Sequence, residues 1–427
     1  MGLRVLLTNL FIAANSGSEC VVESLADGLR QAGHHPLVYA PQLGPQAERM
    51  AARGHVLVDR VAQLGALRPD VIHAQHGPPS LVALANWPDV PAVNVTHGAL
   101  GQIEAPLLHP QVRRTVAVDE LVADRCRRAG VPAGRLRIIL NAVDTSRFQP
   151  RGALPARPRR ALLLTKNQGH HEAVRRACGR MGLRLDALGP GTGRISTELE
   201  RELPQYDLVF ATARMALEAA AVGCAVVVVD GRGFAGPLTE ERLDSWRRLN
   251  FGATLLSAPA TEDRIATAIA AYDAADAARV TARIRQEARL EDAIQAYLAV
   301  YREAIAEGAP PRQEAANGLA ALLDETLPSN TMRPWRELVH EVSFHPERAR
   351  DQILRGLRER LSATPPPGPQ ARAWLLATAR DSLAETLART AADEMLAFDS
   401  EAAAILRETG LSTASEVDGS PARRAGR

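Results

Sequence analysis

Short β-branched runs alternate with segments of helical periodicity along residues 1–306, and this alternation constrains the fold more than any other feature of the chain. The first run, 3–7, precedes a Ser- and Gly-containing loop and a helical pattern that ends at Gly33. Because parallel strands need a crossover between them, this order predicts a parallel sheet covered by helices. Further runs of this first series are 37–39, 71–73, 92–95, 115–118 and 136–140.

A stretch rich in Pro and Arg, 149–160, interrupts the alternation. A second series follows, with strand-like runs at 161–165, 183–188, 208–210 and 225–229 and helical patterns near 172–181 and 215–222. We therefore predict two Rossmann-like, doubly wound α/β halves that face each other across a cleft. Ligands of such sheets bind at the carboxyl ends of the strands, so chemistry is expected in the cleft.

The C-terminal part of the chain is a different kind of sequence. Helical, Ala-rich residues 261–306 end at Gly308, and helical patterns recur near 313–327, 335–361 and up to about 408. The last residues, rich in Ser, Gly and Arg, are predicted to be disordered. The predicted domains are 1–150, 151–308 and an α-helical extension, 309–427, with a disordered tail.

Composition argues against several classes of protein. The chain has 51 Lys and Arg against 49 Asp and Glu and only 4% aromatic residues, so a base-stacking nucleic-acid surface is not expected. No apolar run reaches the roughly 18 residues that would span a bilayer. Four dispersed cysteines without a C-x-x-C pair indicate neither a zinc site nor a disulfide framework, and they predict a cytoplasmic protein.

Several segments, taken in their order, resemble the GT-B glycosyltransferases of the family-4 type over roughly residues 1–305. The segments are Gly17-Ser18-Glu19, Ala32-Gly33-His34, 68–73, Thr96-His97-Gly98, 141–144 with Phe148 and Pro150, and 217–223. The resemblance implies the GT-B fold, a nucleoside-diphosphate sugar as donor, an acceptor-side first domain and a donor-binding second domain.

Glu218 resembles the glutamate that this family uses against the ribose hydroxyls of the donor. A carboxylate can accept both hydroxyl protons, as the acidic residue does in dinucleotide-binding folds. The alternative is a solvated helix glutamate near a helix start.

The donor diphosphate needs cations and N–H donors, and three residues resemble those that supply them. Lys166 follows the first strand of the second half, and a lysine suits phosphate as a point charge. Gly17 and Ser18 resemble the loop whose backbone N–H groups approach the phosphates or the transferred sugar. A solvated loop lysine and an ordinary capping loop are the alternatives.

Three histidines lie at or just after the carboxyl ends of predicted strands of the first half. His97 resembles the family's histidine near the reacting sugar, where an imidazole hydrogen-bonds a hydroxyl or assists proton transfer. His73 and His76 are acceptor-side candidates. Each of the three could instead be structural. The spacing of His73 and His76 could suggest a metal site, but no carboxylate or cysteine partner for them is evident.

One position departs from the family's pattern. Members often carry a second glutamate eight residues before the first, and Phe210 stands there instead. That leaves the orientation of the donor sugar and the stereochemical outcome open. The chain contains no Asp-x-Asp motif, which agrees with metal-independent transfer and with no cofactor beyond the nucleotide sugar as co-substrate.

The sequence thus predicts a glycosyltransferase that moves a sugar to an unknown acceptor, which is a glycan, a lipid-linked molecule or a small molecule. Two alternatives keep the fold: a nucleotide-sugar epimerase, which would need several acidic residues in the cleft, and a catalytically degenerate GT-B scaffold. The helical extension is a candidate surface for a protein partner. The donor base and sugar do not follow from the sequence.

Overall fold

The computed structural model describes residues 2–13, 17–98, 102–326, 354–359 and 361–362, together with Leu376, Ala379, Ala404 and Ile405. The chain forms two compact units, Met1–Leu322 and Leu323–Arg427. The second of these units begins at Leu323, whereas the predicted extension begins at residue 309. Most of the predicted helices of 335–408 and the predicted disordered tail lie outside the described residues. No helix in the described part of the chain is both long and apolar enough to cross a bilayer.

The first half is built on a seven-stranded sheet. Its strands and those of a small two-stranded sheet beside it are β1 Arg4–Thr8, β2 Phe11–Ile12, β3 His35–Tyr39, β4 Gln42–Leu43, β5 Val56–Val58, β6 Val71–Ala74, β7 Ala92–Thr96, β8 Val112–Ala117 and β9 Leu136–Ile138. Its helices are α1 Gly17–Gln31, α2 Pro45–Ala52, α3 Gly77–Asn86 and α4 Glu120–Arg128. The strand order is β5-β3-β1-β6-β7-β8-β9, and all neighbouring strands are parallel. From β1 the chain adds strands towards one edge (β3, β5) and then towards the other (β6 to β9), so the topological switch point lies between β1 and β6.

The second half is built on a five-stranded sheet. Its strands are β10 Arg160–Leu164, β11 Arg184–Leu188, β12 Leu208–Ala211, β13 Ala225–Asp230 and β14 Gly233–Pro237. The helices of this part of the chain are α5 His171–Arg180, α6 Leu199–Glu202, α7 Ala213–Val222, α8 Glu240–Arg248, α9 Glu262–Ala270, α10 Ala274–Glu287, α11 Leu290–Glu307 and α12 Arg312–Thr326. The order is β11-β10-β12-β13-β14, with only the edge strand β14 antiparallel.

Both sheets confirm the predicted α/β architecture. The runs are continuously apolar because helices cover both faces of a parallel sheet. In β1, for example, Val5 and Leu7 pack into one helix layer and Leu6 into the other, and all three are fully buried. The edge strand β14 was not predicted, since its Gly- and Pro-containing sequence has no strand-like pattern.

Helix α11 corrects the predicted division of the chain. Residues up to 308 were assigned to the second half, yet Ile294, Tyr297 and Tyr301 of α11 belong to the core of the first half. Gly28 of α1 permits the close approach of α11, because a Cβ on Gly28 would lie 2.7 Å from Ile294. The first α/β half is therefore completed by a helix from beyond the second.

The chain crosses between the halves twice, and the two crossings lie side by side. Val143 forms a parallel bridge with Arg289. The N–H of Val143 donates to the carbonyl of Ala288 at 2.8 Å, and that of Leu290 donates to the carbonyl of Val143 at 2.9 Å. Two adjacent crossings form a narrow connection, which is the geometry that a hinge requires.

We predict opposite effects for two helical Gly→Ala substitutions. Gly28→Ala drives a methyl group into Ile294 and should lower the free energy of unfolding by about 1–3 kcal/mol. Gly179→Ala in α5 meets no atom within 4 Å and should raise it by about 0.4–1 kcal/mol, because alanine restricts the unfolded chain. Urea unfolding followed by circular dichroism measures both. Equal effects of the two substitutions would contradict the packing of α11 on α1.

Candidate active site

Lys166 lies in the loop after β10, beside the topological switch point between β10 and β12 of the second sheet. The backbone of this loop is tightly held: a Cβ on Gly189 would lie 2.1 Å from the carbonyl oxygen of Thr165, and one on Gly191 would lie 2.7 Å from that of Asn167. The Lys166 side chain is exposed and forms no ion pair within the described residues. It is also the sole lysine among the 51 Lys and Arg residues of the sequence.

Gly17, the first residue of α1, faces Lys166 from the other half. A Cβ built on Gly17 would lie 3.2 Å from the Nζ of Lys166. The first N–H groups of a helix have no partners within the helix and carry a partial positive charge. The structure thus brings two predicted donor-site residues together, with the lysine ammonium at a helix N-terminus. Ser18 follows within the same turn, and its carbonyl accepts from the Gln75 amide at 3.4 Å.

Glu218 lies on α7 and turns towards the first half. Its Oε1 accepts from the Nε of Arg214 at 2.6 Å, and the Nη2 of the same guanidinium donates to the Ser24 hydroxyl of α1 at 3.1 Å. The Glu218 side chain is only 8% exposed. The carboxylate that was predicted to bind ribose is therefore at the gap between the halves and paired with a cation. Arg214 was not among the predicted residues, although its place four residues before Glu218 is the helical spacing of an ion pair.

His97 ends β7 at the same gap and is partly buried. Burial lowers the pKa of His97 to about 4; the charge of Glu104 opposes this shift, and Arg214 reinforces it. The imidazole is therefore neutral at pH 7. Its Nε2 lies 2.9 Å from the Oε1 of Gln75, an acceptor, so Nε2 carries the proton and Nδ1 keeps a lone pair.

His76 and Glu104 form a second polar pair beside His97. The backbone N–H of Leu10 donates to the Nδ1 of His76 at 3.2 Å, and the Nε2 lies 3.5 Å from the Oε1 of Glu104. Burial raises the pKa of the Glu104 carboxyl, but the interaction with His76 and the charges around it outweigh burial and lower that pKa. His76 itself is 4% exposed. Glu104 is the more accessible member of the pair, and no motif in the sequence marked it.

His73 does not reach the gap. It is fully buried, its Nδ1 lies 2.7 Å from the hydroxyl of Tyr301, and its ring packs against Tyr297. The prediction that His73 contacts an acceptor was wrong, because alternate residues of a strand face opposite sides of the sheet and His73 of β6 points under α11. Burial lowers the pKa of His73 to about 3, so it is neutral in the folded protein.

The residues that the structure describes include no group of three or more His, Cys, Asp or Glu side chains that could hold a metal ion. Phe210 is a fully buried core residue of β12. The position that often carries a second glutamate in the family therefore presents no polar group to the gap here.

We predict that His73 makes the protein less stable in acid. Unfolded histidine, with a pKa near 6.5, takes up a proton that folded His73 with its pKa of about 3 does not, so stability is lost as pH falls below about 6.5. In His73→Phe, the pH dependence of the free energy of unfolding below pH 6 should be shallower by up to about 1.4 kcal/mol per pH unit. Denaturant unfolding between pH 7.5 and 5 measures this slope.

The matched control is His35→Gln, which replaces an exposed histidine of the same sheet and should leave the slope unchanged. The quantity compared is the slope of the free energy of unfolding against pH. Stability at a single pH is not compared, because His73→Phe also removes the hydrogen bond to Tyr301, which lowers stability at every pH. A His73→Phe protein with the pH dependence of the wild type would contradict a neutral buried His73.

Part of the sequence matches a known family of proteins. Residues 15–147, about a third of the chain, match the family model of Glycosyltransferase Family 4. A comparison with curated proteins finds no match by sequence.

Among solved structures, HepE of Anabaena in complex with UDP-glucose is 14% identical, with a TM-score of 0.53 over 70% of this chain and 99% of that one. A glycosyltransferase of Rickettsia africae is 13% identical, with a TM-score of 0.50 over 71% and 99% of the two chains. Sucrose-phosphate synthase of Thermosynechococcus elongatus is 14% identical, with a TM-score of 0.50 over 71% and 100%. The chain thus has the GT-B fold, and residues 15–147 of its first α/β half match the model of Glycosyltransferase Family 4.

Proposed function

We propose that this enzyme transfers a sugar from a nucleoside diphosphate to an acceptor hydroxyl or amine in the gap between its α/β halves. The observation that supports this most is the convergence, from two sheets, of Gly17 and Lys166 on one side and of Glu218 and Arg214 on the other. These groups match the two parts that every nucleoside diphosphate presents, an anionic diphosphate and a ribose diol. The solved HepE complex with UDP-glucose supports the same class of donor.

In this proposal the donor diphosphate lies at the N-terminus of α1, beside Lys166. The Lys166 ammonium and the partial positive charge at the N-terminus of α1 oppose the roughly two negative charges of the diphosphate. Glu218 accepts hydrogen bonds from the ribose hydroxyls. Transfer would then need no metal ion, because fixed charges of the chain meet the phosphate charge.

His97 receives the acceptor's proton in this proposal. The bond between the anomeric carbon and the phosphate oxygen breaks, its electron pair stays on the diphosphate, and the acceptor oxygen or nitrogen bonds to the carbon. The lone pair on the Nδ1 of His97 takes the proton that the acceptor loses. Glu104 and His76 lie on the acceptor side of His97, where the carboxylate can accept from acceptor hydroxyl groups.

We further propose a cytoplasmic location, since all four cysteines are free. A protein partner for the helical extension stays a prediction, because most of the extension lies outside the described residues.

We predict that a nucleoside diphosphate protects Lys166 from acylation. Because Lys166 is the sole lysine, an N-hydroxysuccinimide acetate modifies only its side chain and the terminal α-amine, and mass spectrometry resolves the two. UDP, GDP, ADP and dTDP are tested in turn. At ten times its dissociation constant, the cognate nucleotide should slow acylation of Lys166 about tenfold, with the α-amine as internal control.

Glu218→Gln should lower this protection by weakening the ribose contact, and Glu241→Gln, on the exposed face of α8, should not. Absence of protection by all four nucleotides would contradict the proposed donor site. With the sugar donor alone, an isomerised sugar in the NMR spectrum would favour the epimerase alternative. Transfer or slow hydrolysis of the donor supports the transferase.

A further inference from the structure

Arg214 is held at the gap by partners from both halves. Its Nε donates to Glu218 at 2.6 Å and its Nη2 donates to Ser24 at 3.1 Å, while its side chain is 17% exposed. The Nη1 makes no hydrogen bond with any residue in the described ranges. The guanidinium therefore has one nitrogen available to a ligand, in a place where few solvent molecules screen its charge.

The backbone before Arg214 is in an unfavourable conformation that fixes its direction. Ala213 has a φ of 52°, in the left-handed region that residues with a Cβ seldom adopt. Its N–H donates to the carbonyl of Phe251 at 2.9 Å, and Phe251 is a buried residue, itself at a φ of 49°. Such strained residues persist where the surroundings over-determine them, and they cluster at binding sites. The packing thus sets where α7 begins and where Arg214 points.

The spacing along α7 matches the dimensions of a nucleoside diphosphate. Arg214 and Glu218 are four residues apart, so they lie about one helical turn, or about 5.4 Å, from each other along the axis. With the ribose hydroxyls on Glu218, the phosphates extend by about that distance towards the N-terminus of the helix. There they meet Arg214 and the partial positive charge at the N-terminal end of α7.

We propose that Arg214 binds the phosphate that carries the sugar and stabilises it as the sugar leaves. This role rests on the proposed function. When the bond from the anomeric carbon to the phosphate oxygen breaks, that oxygen keeps the electron pair and the diphosphate gains negative charge. Two cations of the second half, Lys166 and Arg214, then neutralise it. An arginine suits this task because its fork binds two phosphate oxygens at once.

The ion pair with Glu218 is then the unliganded form of the site. Phosphate competes with the Glu218 carboxylate for the guanidinium, and the carboxylate in turn becomes available to the ribose. The Ser24 hydroxyl keeps the arginine at the gap while its partner changes. Binding of one nucleotide therefore replaces the ion pair between Arg214 and Glu218 with two contacts to the ligand, one from Arg214 to a phosphate and one from Glu218 to the ribose.

The test compares nucleoside diphosphate with the corresponding monophosphate by isothermal titration calorimetry. UDP, GDP, ADP and dTDP identify the base on the wild type first. Arg214→Gln should weaken binding of that diphosphate roughly 10- to 100-fold, and binding of the monophosphate less than about 3-fold. Arg214→Lys should lose part of the affinity, because it keeps the charge without the fork.

Arg175→Gln is the matched control, since it removes an exposed arginine of α5 that is paired with a carboxylate of its own helix, Glu172, away from the gap. It should change both affinities less than about 3-fold, and circular dichroism establishes that each variant is folded. Equal losses of diphosphate and monophosphate affinity in Arg214→Gln would overturn the proposal, because an arginine that merely positions Glu218 affects the ribose contact of both ligands alike. Unchanged binding would overturn it too. A wild type that binds none of the four diphosphates would instead overturn the proposed function.

Discussion

One face of α1 holds the candidate site together. Gly17 lies against the Nζ of Lys166, and Ser24, two turns further along, accepts a hydrogen bond from Arg214. Lys166 lies in the loop after β10 and Arg214 in the first turn of α7, both after carboxyl ends of strands of the second sheet, while α1 begins after the first strands of the first half. A helix from one half therefore runs along the ligand-binding edge of the other. The proposed donor contacts from both sheets depend on this single juxtaposition, and the two crossings of the chain between the halves lie side by side at Val143 and Arg289.

The α/β fold could be predicted because strands buried on both faces are continuous apolar runs, and nearly every such run became a strand. The pattern of apolar residues does not say which sheet each helix packs against. Helix α11 has an ordinary amphipathic sequence, and nothing in its periodicity says which sheet its apolar stripe covers. It returns to the first half, where Tyr301 lies beside His73. Chain order therefore misassigned it, since packing between elements distant in sequence decides the matter.

The site was predictable to the extent that topology alone places residues. Lys166, Gly17 and Glu218 follow strands that end at the gap, so their convergence follows from the architecture. His73 also ends a strand, but the alternation of side chains turns it under α11. Arg214 and Glu104 escaped prediction for a different reason: their importance lies in their partners, Ser24 and His76, which are distant in sequence. A site made of long-range pairs is visible only in the folded protein.

The central claim is that a nucleotide lies in the gap between the halves with its ribose at Glu218. A crystal structure of the full chain grown with its cognate nucleoside diphosphate tests this most directly. The account predicts ribose hydroxyls within about 3.2 Å of the Glu218 carboxylate and phosphate oxygens between the start of α1 and the loop of Lys166. Electron density for the nucleotide elsewhere on the protein, with the ion pair of Glu218 intact, would contradict it.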